Sequence, residues 1–182
     1  MLKKVDPALS HRLFYPGVPA VLAARSGKTV AAMPVISYSA LSERPPLFGV
    51  SCARDSFTLK VASAAKAFSL CLLGEEHVNA IALLASRKGE EGSDKLSDAG
   101  LKHRKGSRLG APVIIGASAA LECSLRRSLR TGDHVLLVGR IEGALATSDF
   151  GGYWRFRSYH PLLYAGWQRG IARYRPASRR TR

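Results

Sequence analysis

Residues 117–129 and 134–146 are two long β-like runs separated only by Arg130-Thr131-Gly132-Asp133, and this spacing limits the possible folds severely. Neighbouring parallel strands need a crossover of roughly a dozen or more residues, whereas a short polar connection with a glycine turns the chain back on itself, so these runs pair antiparallel. The pattern recurs upstream. Residues 18–24 and 29–35 flank Arg25-Ser26-Gly27-Lys28 and read as a second hairpin, although Pro34 is expected to interrupt its ladder. Pro45-Pro46 leads into an apolar run at 47–52, and compact apolar runs follow at 68–73 and 161–165.

Helical signals are fewer. Residues 56–65 follow Asp55, a good N-cap, and contain neither proline nor glycine. Residues 75–86 place Val78, Ile81, Ala82 and Ala85 at helical spacing, with Glu75 and Glu76 at the end where the helix dipole favours negative charge. Residues 87–110 are polar and glycine-rich, with one short helix around 93–99 that Ser93 is placed to cap. Strands therefore outnumber helices and short turns join them, which predicts a mainly β, antiparallel barrel with a few short helices. A doubly wound parallel sheet is disfavoured, and neither G-x-G-x-x-G after a strand nor G-x-x-x-x-G-K-[ST] occurs.

A chain of 182 residues suits one domain. Its charge is unusual: 28 Lys plus Arg against 13 Asp plus Glu give +15, a field that draws anions. Six of the arginines fall in residues 167–182 with no acid, so that stretch is expected to be a solvated, mobile basic tail, leaving 1–17 as an N-terminal extension and 18–166 as the domain. Residues 99–132 hold Lys102, Arg104, Lys105, Arg108, Arg126, Arg127 and Arg130 against the single acid Glu122. Without an RNA- or DNA-binding motif or interleaved aromatics, a nucleic-acid partner is disfavoured. Cys52, Cys71 and Cys123 lack metal or redox spacing and read as reduced, buried thiols of a cytoplasmic protein. The first residues lack the apolar core of a signal peptide, and no run of about 18 apolar residues exists, so no membrane partner is expected. The five histidines have no metal-ligand spacing, and no G-x-S-x-G elbow marks a nucleophile.

One stretch does concentrate chemistry. Arg54, Ser56, Thr58 and Lys60 gather where the run 47–52 meets a helix start, so that a guanidinium, hydroxyls and free backbone amides can converge on an anion. The same residues also read as a helix cap with solvated polar neighbours.

The order of these pieces resembles the flavin reductase-like proteins, which have an FMN-binding split barrel. The matching residues are Pro34, Ser37 and Ser39, then Pro45-Pro46-Leu47, Ser51, Ser56 and Thr58, then Phe68 and Leu70. Later landmarks are Ser93-Asp94-Lys95-Leu96 with Ala99-Gly100-Leu101, Leu121-Glu122-Cys123, Gly132-Asp133-His134 with Val138-Gly139, and the closing Pro161-Leu162-Leu163-Tyr164. The resemblance spans residues 18–166 and departs from the family at Leu96, where an aromatic is usual, and at Ser69-Leu70-Cys71.

The resemblance implies an antiparallel split β-barrel that binds FMN. Backbone donors around Ile36, Ser37, Tyr38 and Ser39 would meet the pyrimidine edge of the ring, Val35 and Cys52 would line its slot, and Arg54, Ser56, Thr58 and Lys95 would hold the phosphate, with Lys60 a lesser candidate. His134 would stand near the reacting face. Trp154 and Trp167 either flank a nicotinamide or pack an interface. The implied activity is transfer of hydride from NADH or NADPH to flavin or another small acceptor; the alternative is an FMN-binding electron carrier without pyridine-nucleotide activity. A homodimer with FMN near the interface is expected, since a split barrel leaves one side of the flavin open.

Overall fold

The computed structural model describes residues 2–168 and 171–177. A 3-10 helix at Pro7–Phe14, capped by the Asp6 carboxylate, precedes the strands β1 (Ala20–Ser26), β2 (Thr29–Val35), β3 (Tyr38–Glu43) and β4 (Pro46–Ala53). Helix α1 (Phe57–Ala65), strand β5 (Ala67–Leu72), and helices α2 (Val78–Ser86) and α3 (Lys95–Asp98) follow. The chain continues through β6 (His103–Lys105), β7 (Pro112–Ile114), β8 (Ala119–Thr131), β9 (His134–Ala146), β10 (Leu162–Gln168) and β11 (Ile171–Pro176).

Seven strands form one antiparallel sheet in the order β2-β1-β5-β8-β9-β4-β3, while β6–β7 and β10–β11 are separate two-stranded pairs. Although β2 and β4 stand first and sixth in that order, Met33 and Pro34 of one and Ser51 to Ala53 of the other line a common cleft, so the sheet is curled into a split barrel. The β8–β9 connection is shorter than the sequence suggests: Thr131 pairs with His134, and only Gly132 (φ +69) and Asp133 make the turn.

β1 is buried on both faces, which is why residues 18–24 show no polar alternation. Ala20, Leu22 and Ala24 pack with Val50, Phe68, Leu70 and Leu137. Val21 and Ala23 face a second cluster with Ile81 and Leu84 of α2, Leu96 and Leu101. Pro34 does not break the sheet, because β2 is an edge strand and a proline there forfeits no ladder bond on its outer side.

Several expectations need correction. Ser56, not Asp55, caps α1, and Asp94, not Ser93, caps α3. In α2 Leu84 is buried and Ala82 exposed. β3 is not legible in the sequence, since its residues are largely exposed at the other sheet edge and lack an apolar face. Residues 171–176 are not a free tail: they form β11, paired with β10 from Leu162↔Pro176 to Gln168↔Ile171. Residues 169–170 and 178–182, the remainder of the expected tail, lie outside the described residues. No described helix is long and apolar enough to cross a membrane.

The connection between β9 and β10 folds around Asp149, which is only 4% exposed. Its carboxylate accepts the backbone N–H groups of Tyr159 (3.0 Å), Arg157 (3.0 Å) and Ser158 (3.3 Å). These bonds, led by that of Tyr159, outweigh burial and hold the carboxyl below its ordinary range. A folded-state pKa below the unfolded one contributes stability above about pH 4 that is lost as pH falls through the lowered value. Asp149→Asn is therefore expected to lower the melting temperature at neutral pH, with the gap to wild type closing in acid; a gap independent of pH would contradict this assignment.

Candidate functional site

The common cleft has a volume of about 630 Å³ and is walled by β2, β4, the start of α1, the end of α2, Lys95 of α3, and the β10–β11 pair. One end is built for an anion. Ser56 turns the chain into α1, its Oγ accepting the Leu59 N–H at 3.4 Å and donating to Met33 Sδ at 3.1 Å. Thr58 is buried beside it, and its hydroxyl is taken by no other described residue.

Lys95 faces the same space while only 7% exposed. It is carried there by α3, whose approach is tied to β2 through the Val30 N–H on the Ser93 carbonyl (2.9 Å) and the Gly92 N–H on Thr29 Oγ1 (2.9 Å). Burial lowers the Lys95 pKa, and no described carboxylate pairs with the ammonium. The stem is buried, but Nζ is not one of the enclosed polar atoms left without a partner, so the ammonium opens onto the cleft, where an anion can meet it. Arg87 and Lys88 add two exposed cations at the end of α2, with Asp55 the one acid among the described lining residues.

The rest of the cleft sets apolar walls beside Ser37, Ser51 and His134. Met33, Val35, Ile36 and Cys52 form one side. Burial pushes the Cys52 thiol up to about 12, so it offers a neutral packing surface and no thiolate. The far wall is a row of tyrosines: Tyr15 meets Tyr164 edge-on at 5.2 Å, and Tyr164 meets Tyr174 at 5.7 Å. At the rim, His134 Nδ1 lies 2.7 Å from Asp133 Oδ1, which fixes the ring and holds the Asp133 carboxyl below its usual range.

Of the residues singled out in the sequence, Ile36, Ser37, Cys52, Ser56, Thr58, Lys95 and His134 line this cleft, as does Val35. Tyr38, Ser39 and Arg54 do not. Tyr38 follows Ser37 onto the other face of the chain, where its hydroxyl donates to the Val18 carbonyl (2.7 Å) and its ring stacks on Phe48. Ser39 is exposed and donates to the Ala40 carbonyl. Arg54 is exposed in the β4–α1 turn, where its N–H donates to the Asp133 carbonyl (3.0 Å), and Lys60 is exposed beyond the first turn of α1. Trp154 packs with Phe150 and Tyr159 away from the cleft, and the Trp167 side chain lies outside the described residues.

Sequence pattern does not anticipate Tyr15, Arg87, Lys88, Ala172 and Tyr174 as lining residues. A signal exists for the last two: Ala172 and Tyr174 alternate with exposed Arg173 and Arg175 at strand period, a pattern masked by the density of arginine. The arrangement fits a planar, apolar ring carrying a phosphate, and the unpaired Lys95 ammonium is the feature that asks for the phosphate.

Known proteins share this architecture. The family model described as "Flavin reductase like domain" matches residues 11–169. An FMN-binding protein from Thermus thermophilus superposes with a TM-score of 0.80 at 30% identity, over 97% of this chain and 94% of its own. A flavin reductase from Pseudomonas putida is 30% identical over 136 residues, 74% of this chain and 76% of its own. An uncharacterised protein of Aeropyrum pernix is 30% identical over 166 residues, and this chain spans 63% of its length. With the curled antiparallel sheet, the cation-ended cleft and a family match running from the first 3-10 helix through β10, the chain belongs to the flavin reductase-like family.

Proposed function

We propose that this protein is an FMN-dependent oxidoreductase that takes hydride from NADH or NADPH and passes electrons to free flavin or another small acceptor. The observation that carries the reading is Lys95, largely buried and without a described carboxylate partner, beside Ser56 and Thr58 at one end of the cleft. The activity of the Pseudomonas putida relative and the FMN binding of the Thermus thermophilus neighbour support it. FMN, when bound, supplies the redox chemistry itself, which is why no catalytic dyad is needed. Lys95, Ser56 and Thr58 hold the phosphate, the backbone at Ile36 and Ser37 orients the ring edge, and Val35 and Cys52 exclude water from one face. His134, fixed by Asp133, stands at the rim where a hydride donor enters.

Anaerobic mixing of the FMN-loaded protein with NADH or NADPH tests this, followed at the flavin absorbance band. Bleaching within seconds is expected; an unchanged spectrum with both donors overturns the reductase and leaves an electron carrier. The free, buried cysteines fit a reducing cytoplasm.

The protein is further proposed to act as a homodimer. An apolar groove of about 440 Å³ runs over Leu70 and Leu72 of β5, Ala119 to Leu121 of β8, and Ala144 to Ala146 of β9, flanked by Phe150 and Trp154. Leu145 and Phe150 are nearly half exposed there, and a second copy would cover them. Light scattering is expected to report twice 19.6 kDa, and Leu145→Glu to shift the population towards monomer. A wild-type monomer that binds FMN tightly would refute the dimer.

A further inference from the structure

Asp94 immediately precedes Lys95, yet it does not pair with it. Both of its carboxylate oxygens are engaged elsewhere: Oδ1 accepts the Ser97 N–H (3.1 Å), capping α3, and Oδ2 meets His103 Nε2 at 2.8 Å. The His103 side chain is only 8% exposed, and its other ring nitrogen, Nδ1, is buried without a hydrogen-bond partner. A carboxylate can only accept, so the ring proton sits on Nε2 and points at Asp94. Burial pushes the Asp94 carboxyl up, but the bonds from Ser97 and His103 outweigh it and keep the group ionised. His103 itself is held in β6 by pairing with Ile114 of β7, an element independent of the cleft.

We propose that His103 is a positioning residue for the flavin phosphate site, acting through Asp94: it ties down the carboxylate that would otherwise neutralise the neighbouring Lys95, and it locks the short helix that aims the Lys95 ammonium into the cleft. The proposal rests on the reading of Lys95 as the phosphate ligand. His103 touches neither cofactor nor substrate, since it is not among the residues lining the cleft. Its role is to keep a cation beside an anion without letting the two pair. The design resembles outer-shell control of a bound ion, in which the partner of a ligand-bearing segment governs affinity.

The test compares FMN with riboflavin, which lacks the phosphate, by flavin-fluorescence titration of the full-length protein. His103→Leu, which keeps apolar bulk but removes the donor, is expected to weaken FMN about tenfold while changing riboflavin by less than about twofold. His103→Gln, whose amide N–H reaches as far as Nε2, is expected to restore most of the lost FMN affinity. Should His103→Leu fail to fold, His103→Asn serves instead, since its shorter amide falls short of Asp94 Oδ2 while keeping a polar side chain. Lys95→Met separates positioning from phosphate binding. If Lys95→Met changes the FMN-to-riboflavin ratio and the His103 variants do not, the positioning role is wrong and the phosphate site stands. If Lys95→Met leaves the ratio unchanged, the phosphate site is wrong and the positioning role falls with it.

Discussion

Phe68→Ala is expected to cost about 3 to 5 kcal/mol of stability, a large effect for one substitution in a fold of this size. Phe68 is fully buried in β5, opposite Cys123 of β8, at the centre of the cluster that joins β1, β4, β5, β8 and β9. The fit is tight on the β9 side: a Cβ added at Gly139 would lie 2.6 Å from Phe68 Cζ and 2.8 Å from the Cys123 Cβ. The ring thus occupies the space that a side chain at 139 would need, and Gly139 has no side chain to move into the void left by alanine. For a chain of this size each kcal/mol corresponds to roughly 2 to 4 °C, so the melting temperature should fall by roughly 6 to 20 °C. Phe68→Leu, which keeps much of the volume, should cost about 1.5 kcal/mol or less. A thermal or urea melt reads both, and equal, small losses in the two variants would show that the ring does not fill that space.

The second large effect concerns binding. Lys95→Met should raise the FMN dissociation constant about ten- to a hundredfold, the equivalent of a charge-assisted bond worth about 1.5 to 3 kcal/mol, and leave riboflavin binding nearly untouched. Equal weakening of both ligands would place the effect on the fold instead. Lys95 also gives a pH signature with a definite sign. Burial lowers its folded-state pKa, so the unfolded chain binds the proton more tightly, and the ligand-free protein should gain stability as pH rises from the lowered value towards about 10.4. Lys95→Met should lose that slope, and bound phosphate should reverse the preference by stabilising the ammonium. Arg54→Ala, in contrast, should change FMN affinity little, because Arg54 is exposed outside the cleft.

Much of the fold is readable because its signals are local along the chain. The hairpins at residues 18–35 and 117–146 follow from runs flanking short polar turns, and α1 and α2 from the absence of breakers and the spacing of apolar residues. The misses share a cause as well. β3 and β11 are short strands of mostly exposed or mixed residues, whose partners, rather than their own composition, make them strands. The arginines of 171–176 suggest solvation, yet Arg173 and Arg175 point outward from a strand whose other face carries Ala172 and Tyr174 to the cleft.

The candidate site divides the same way. Ser56 and Thr58 can be named from order and residue type, since hydroxyls at a helix start are a chain-local feature, whereas Lys95 is picked out only by the resemblance to the family pattern. Tyr38, Ser39 and Arg54 cannot be separated from them, because a strand alternates faces at every residue and only the position of the strand in the sheet says which face meets the cleft. Antiparallel pairing, the helices and the types of residue available to hold an anion are written in neighbours a few positions apart, so the linear chain suffices to specify them. Three-dimensional packing alone makes β2 and β4 close round one cleft, adds a wall of tyrosine to it through β11, and holds Asp94 by His103, nine residues on. Those outcomes depend on contacts between segments distant in the chain, and such contacts are set by the packing of the whole barrel.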